Sequence, residues 1–357
     1  MTVTTLAPAP AAAPAVLTIP ERLQRGAFTS LGRVPGRLLR RLAPRVVNAD
    51  GDVMAPEIAL MLKASAGAPD FSDGSPEEAR AIVANDYRVF ADKAPSGVHV
   101  EPEIVMPGGL RATLYRPAAP SKALVLFLHG GGFVLSSRQD YDVPVRLIAD
   151  GAGVNVLSVE YGLAPESPFP RPVDDAGTAW RFAVEHCAEW GIDPTRIVLL
   201  GDSAGGNLCA VLANDLVGEE IQPYLQVLMY PVLDGVGDYA SRTEFAGNSA
   251  LSAKQIEWLT NLYLPSREAR FDPRLSPMLA EDLSGAPPTL ITVAGFDPLR
   301  DEALAYAERL AESGVPVRVF REGGLVHGYI SMTRISPTAR AAVDRVADAI
   351  RTSLKER

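Results

Sequence analysis

Three short runs of apolar residues constrain this chain more than any other feature: Leu124-Val-Leu-Phe-Leu128, Val154-Asn-Val-Leu-Ser-Val159 and Ile197-Val-Leu-Leu200. A strand with one wet face alternates apolar and polar residues. Runs that barely alternate read as strands covered on both faces, as in a parallel sheet between helices. With these three, read over 123–129, 154–160 and 196–201, strand-like runs at 98–105, 111–116, 225–230, 289–294 and 316–320 make eight. Helical patterns at 172–190, 204–217 and 301–313 lie between them. A last helix opens with Ser336 as cap and Pro337 in its first turn, and Ala339, Val343, Val346 and Ile350 mark its inner face. Strands alternating with helices predict an α/β fold with a largely parallel sheet.

The chain before residue 98 has a different texture. Residues 1–16 are low-complexity Ala and Pro, which cannot bury enough apolar surface to order a segment, and are read as a disordered tail. Residues 21–47 are Arg-rich, with Leu38, Leu39 and Leu42 interleaved. They read as a solvated helix or a strap on the body; contact with an anionic membrane surface is the weaker alternative. Residues 54–93 look helical, one helix carrying Ile58, Leu60, Met61 and Leu62. A second has Ser75 as cap, Pro76 next, and Glu77 and Glu78 at its positive end. The net charge of −9 is uneven: seven Arg against Glu21 and Asp50 give residues 1–50 +5, so the rest carries −14. An acidic body argues against nucleic acid as a partner. No run approaches the roughly 18 apolar residues of a membrane-spanning helix, and no basic-then-apolar leader is read at the N-terminus. Cys187 and Cys209 read as small buried residues, which fits a reducing, cytoplasmic setting. Between Tyr230 and Thr289 lie about sixty residues with a helical stretch near 252–263; connections this long are usually functional, often lids.

Gly201-Asp202-Ser203-Ala204-Gly205-Gly206 follows one apolar strand and opens a helix. That is the context of a nucleophile elbow, in which a serine sits on a strained strand-to-helix turn and the helix aims its positive end at developing negative charge. His129-Gly130-Gly131-Gly132 directly follows another strand. Glycines there let backbone N–H groups approach an oxyanion, with the N–H of Ala204, the residue after the serine, completing the donor set. The base follows by elimination: of the four histidines (99, 129, 186 and 327), only His327 comes after Ser203. It is placed in a Gly323-Gly324-Leu-Val-His-Gly328 loop after the strand 316–320. His99 is read as a surface or strand-edge residue, His186 as a helix-face residue, and His129 as shaping the glycine loop. The acid must lie between serine and base. Asp297, three residues after the strand 289–294, fits best; Asp301, Asp234 and Asp272 are weaker candidates. No metal or organic cofactor is expected, since the histidines lack zinc-site spacing.

These motifs, with Glu160-Tyr-Gly-Leu-Ala-Pro-Glu166, Asp297-Pro-Leu-Arg-Asp-Glu302 and His327-Gly328, give the chain a resemblance to the hormone-sensitive-lipase-like family of bacterial esterases and lipases, over roughly residues 50–355. The resemblance implies the α/β-hydrolase fold: a mostly parallel eight-stranded sheet flanked by helices, with a helical cap. It implies a triad of Ser203, Asp297 and His327, and oxyanion donors at Gly131, Gly132 and Ala204. The cap would be residues 50–95 and an insertion at about 232–285, leaving 1–49 as an N-terminal extension and 96–357 as the catalytic domain. The activity implied is serine-dependent hydrolysis of small-molecule esters with short to medium acyl chains. Other acyl bonds (amide, lactone, carbamate) serve the same triad equally well, and a non-catalytic receptor on this fold would lack His327. Members of the family pair through the last strand, so a homodimer is an expectation. Where this chain has Gly162 the family usually has Arg. Glu166 and Asp202 are read as holding loops by hydrogen bonds.

Overall fold

The computed structural model describes residues 34–355 except 91, 248 and 249, together with Gly26 and Ser30. The tail 1–16 and most of 21–33 lie outside the described residues. The strands are β1 (Val98–Val100), β2 (Ile104–Val105), β3 (Arg111–Pro117), β4 (Leu124–Leu128), β5 (Asn155–Glu160), β6 (Ile197–Asp202), β7 (Leu225–Met229), β8 (Thr289–Phe296) and β9 (Val317–Val326). They form one sheet in the order β1-β3-β5-β4-β6-β7-β8-β9, with β2 also on β3; β1, β2 and β5 pair with β3 antiparallel and all other neighbours are parallel.

Two expectations about strands need correcting. The run 98–105 is two strands, so the sheet has nine strands and not eight. Pro102 has no N–H for the ladder, and β1 and β2 pair separately with β3, from Val98 opposite Pro117 to Val105 opposite Arg111. The last strand also does not end at 320: β9 runs to Val326, paired with β8 as far as Phe296 opposite Val326 across a register shift between Ala294 and Phe296. The glycines that suggested a loop instead permit contact, because a Cβ on Gly295 would lie 2.1 Å from the Gly323 oxygen. His327 therefore leaves the end of a paired strand.

Helices cover both faces. Leu124, Leu126 and Leu128 of β4 point into one core layer, with Trp180 of α5 (Arg171–His186) and Leu208 of α6 (Ala204–Asp215). Val125 and Phe127 point into the other, with Ile148 of α4 (Asp142–Ala152) and Val343 of α10 (Pro337–Ser353). Each such side chain taken out of water stabilises the fold by about 1.5–3 kcal/mol. Cys187 and Cys209 are free and buried.

Chain outside this layered body roofs one end of it. α3 (Pro76–Phe90) begins with a reciprocal cap, Ser75 N–H to Glu78 and Glu78 N–H to Ser75 Oγ. α8 (Ala253–Tyr263), in the long connection, begins with the same device between Ser252 and Gln255. The two pieces meet: Gln255 donates to Asp70, Lys254 pairs with Asp73, and Phe71 packs edge-on against Trp258 at 5.9 Å. In the Arg-rich segment, α1 (Gly36–Leu42) buries Leu39 and exposes Leu38 and Leu42. The chain beyond it straps the β8–β9 end, with the Asn48 amide on the Gly295 oxygen and Asp50 and Asp52 on Arg321. α2 (Pro56–Ala64) packs beside α10, where Ser336 and Thr338 donate to the buried Glu57. No described helix is long and apolar enough to cross a membrane.

Candidate active site

Ser203 occupies the turn between β6 and α6 with φ +52°, a left-handed backbone unusual for a residue with a side chain. Its N–H is fixed on the Met229 oxygen of β7. The turn closes because position 205 carries no side chain: a Cβ there would lie 1.9 Å from the Leu128 oxygen at the end of β4. β4 then runs into His129–Gly132, so strand order places that loop beside the serine. Gly131 has φ +116°, and a Cβ on it would strike the Leu135 oxygen at 2.2 Å. Neither Gly131, Gly132 nor Ala204 has an N–H that donates to a partner among the described residues. All line or adjoin one cavity of about 680 Å³ that contains Ser203 and His327.

The structure brings three of the expected residues into one chain of hydrogen bonds. His327 Nδ1 lies 2.8 Å from Asp297 Oδ2, and its Nε2 lies 2.9 Å from Ser203 Oγ. The second Asp297 oxygen accepts the Leu299 N–H. Asp297 is fully buried and His327 nearly so. Burial alone would depress the His327 imidazole; the adjacent Asp297 carboxylate, by charge and hydrogen bond, outweighs it and raises the pKa above its ordinary value, with smaller help from Asp202 and Glu302. The weaker acid candidates are engaged elsewhere: Asp301 with Arg300 and Ser241, Asp234 in a turn with Tyr239, Asp272 with Arg274.

His129 is buried, its Nδ1 on the Gly130 oxygen and its ring stacked on Tyr161, and burial pushes its pKa down to about 4. It is neutral at working pH and braces the loop. His99 lies on β1 and His186 ends α5; neither lines the cavity. Asp202 accepts from the Gly130 N–H and from the Tyr141 and Tyr230 hydroxyls, tying the glycine loop to the serine turn. Burial pushes its carboxyl up to about 6 against those bonds. Glu166 accepts two bonds from Arg80 of α3, which also donates to the oxygens of Val134 and Ala164. Gly162 has no room for the family's arginine side chain: a Cβ would sit 2.8 Å from Ser167, and its N–H is held by Asp175.

Sequence reasoning did not single out Tyr141, Tyr230, Arg80 or the pairing of Arg242 with the buried Glu302. No local pattern marks the first three, whose side chains have hydrogen-bond partners 11 to 100 residues away.

A strained serine on a strand-to-helix turn, a histidine and acid after later strands, and a glycine loop whose Gly131 and Gly132 N–H groups have no partner among the described residues define a serine hydrolase site on an α/β sheet. A family model described as the alpha/beta hydrolase fold matches residues 125–331. The chain belongs to the α/β-hydrolase family, in its hormone-sensitive-lipase-like branch. It is 37% identical over 328 residues to the carboxylic ester hydrolase LipN of Mycobacterium tuberculosis, covering 87% of this chain and 86% of that protein. It is 38% identical over 251 residues to an ethyl acetate hydrolase of Pseudomonas putida, covering 69% and 79%. Among solved structures, it resembles an ester hydrolase from the metagenome of Lake Arreo, complexed with a bipyridine phosphonate derivative, at TM-score 0.79 and 32% identity, covering 85% of this chain and 99% of that one. A thermostable esterase from Pseudomonas putida matches at TM-score 0.79 and 30% identity, covering 84% and 97%.

Proposed function

We propose that this chain is a serine carboxylic-ester hydrolase that works through an acyl-enzyme on Ser203, with His327 as base and Asp297 as its partner. The observation that carries this reading is the unbroken path Asp297–His327–Ser203, opening onto a cavity lined by Gly131 and Gly132, whose N–H groups, like that of Ala204, have no partner among the described residues. Asp297 accepts from Nδ1–H, which leaves Nε2 free to accept the Ser203 proton. The Ser203 oxygen bonds to the ester carbon as its proton passes to Nε2. The carbonyl electron pair moves onto oxygen, held by the N–H groups of Gly131, Gly132 and Ala204. Collapse breaks the bond to the alcohol oxygen, which takes the proton from Nε2. Water then attacks the acyl carbon, gives its proton to His327, and the Ser203 oxygen leaves with that proton as the acid is freed. Ester and water balance the reaction.

Short to medium acyl chains are the substrates we propose, in line with the ethyl acetate hydrolase of Pseudomonas putida among the relatives. A cavity of about 680 Å³ walled by Leu259, Tyr263, Leu264 and Leu275 holds a small ester. Assay of p-nitrophenyl esters from acetyl to palmitoyl tests this, with Ser203→Ala as control. Activity should peak at short to medium chains and vanish in the variant. Full activity in Ser203→Ala, or a palmitoyl optimum, contradicts the reading.

A further inference from the structure

One wall of the cavity holds a carboxylate that the reaction does not use. The inner face of α3 buries Ala79 and Phe90 and packs Val83 against the core. Asp86 falls in that same stripe, three residues after Val83 and four before Phe90. It is partly buried and lines the cavity with Ile82 and Tyr87 of its own helix and Ser331 and Met332 of the turn beyond His327.

Of the other acids around the site, Glu257 lines the cavity but is exposed to water, and the rest are engaged. Asp297 has His327 and the Leu299 N–H, Asp202 has Tyr141 and the Gly130 N–H, Asp234 has Tyr239, and Glu302 has Arg242. Among the described residues no donor reaches Asp86. Arg242, Arg267 and Arg270 line the same cavity, yet none lowers the Asp86 carboxyl, which burial unopposed pushes up to about 6. A carboxylate in an apolar wall costs the fold stability, and no group among the described residues offsets that cost here. Its place in the cavity makes the substrate the natural source of a donor. The side is also defined. His327 protonates the leaving oxygen, so the alcohol arm lies on the His327 side of the reacting carbon. α3 packs over the turn that follows His327, where the Arg334 N–H meets the Phe90 oxygen.

We propose that Asp86 is a specificity-determining residue that selects esters whose alcohol arm carries a cationic amine. A hydroxyl would also satisfy the oxygens, but only a cation both balances the charge and makes a charge-assisted bond. The inference rests on the ester-hydrolase reading.

The test uses two butyrate esters of nearly the same shape: that of 2-(dimethylamino)ethanol, protonated near neutral pH, and that of 3-methylbutan-1-ol. kcat/KM for each is measured by titrating released acid, with the full chain, Asp86→Asn and Asp86→Leu. The amine alters intrinsic ester reactivity equally for all three proteins, so the diagnostic is how the cationic-to-neutral ratio changes between them. In both variants that ratio should fall roughly 10- to 100-fold, the range for a lost bond to a charged group. Turnover of the neutral ester should rise in Asp86→Leu, which also reports that this variant is folded. A ratio within about twofold of wild type in Asp86→Leu overturns the proposal. So does a ratio preserved in Asp86→Asn, because charge would then not be what the site reads. If wild type hydrolyses neither ester nor the p-nitrophenyl series, the ester-hydrolase reading itself fails. An active wild type with an unmoved ratio removes only the role of Asp86.

Discussion

Replacing Gly131 by alanine separates transition-state stabilisation from substrate binding. The added Cβ would lie 2.2 Å from the Leu135 oxygen and 2.7 Å from its carbon, against an ordinary contact of 3.4 Å or more. Leu135 has no easy retreat: it is buried, and its N–H is bonded to the Gly131 oxygen at 2.8 Å. The glycine loop must therefore move by about 1 Å, enough to take the Gly131 N–H out of hydrogen-bond range of an oxyanion. Loss of one such donor raises the barrier by about 3 kcal/mol, which is a 100- to 1000-fold fall in kcat. The backbone at φ +116° adds strain of about 1–3 kcal/mol against folding. KM should change little, because the cavity walls hold the ester equally in ground and transition states. Steady-state hydrolysis of p-nitrophenyl butyrate gives both constants. A phosphonate titration of competent sites, run in parallel, removes any contribution from unfolded protein. A titrated kcat within about threefold of wild type would refute the role given to this loop.

Two further outcomes follow from the same geometry. His327 accepts a proton only when neutral, so kcat/KM should rise with pH, with a midpoint above the ordinary imidazole value of about 6.5 because Asp297 holds the proton on. Asp297→Asn removes that pull and leaves burial in command, so the midpoint should move down and kcat fall roughly 10⁴-fold; a midpoint unmoved in Asp297→Asn would contradict the pairing. In the roof, Arg80→Ala should lower stability by about 1–3 kcal/mol in urea unfolding, because the bonds to the Val134 and Ala164 oxygens are lost. Glu166→Ala should cost under about 1 kcal/mol, since that carboxylate is mostly exposed; equal costs would overturn the ranking.

The central strands were readable because β4, β5 and β6 are covered on both faces and their sequences say so. Ser203, Asp297 and His327 were readable because each sits just after a strand, although 124 residues separate serine from histidine. The misreadings have tertiary causes. Gly323 and Gly324 look like a turn until Gly295 is seen to lie against Gly323, which lets β9 run on to the histidine. Pro102 splits one apparent strand, a break that an alternating pattern alone conceals. Asp86 carries only a weak local mark, a carboxylate in the apolar stripe of α3. Arg80 and Tyr141 carry none, because what they hold lies in distant segments.

The central claim is that Ser203 itself carries the acyl group, and the most direct test is to look for it there. Wild-type protein mixed with excess p-nitrophenyl butyrate is acid-quenched within the first turnover, digested, and analysed by mass spectrometry. The account predicts one butyryl group on the peptide containing Ser203, specifically on that side chain, and none in Ser203→Ala. Turnover that proceeds with no adduct on Ser203, or with the butyryl group on another residue, would contradict it.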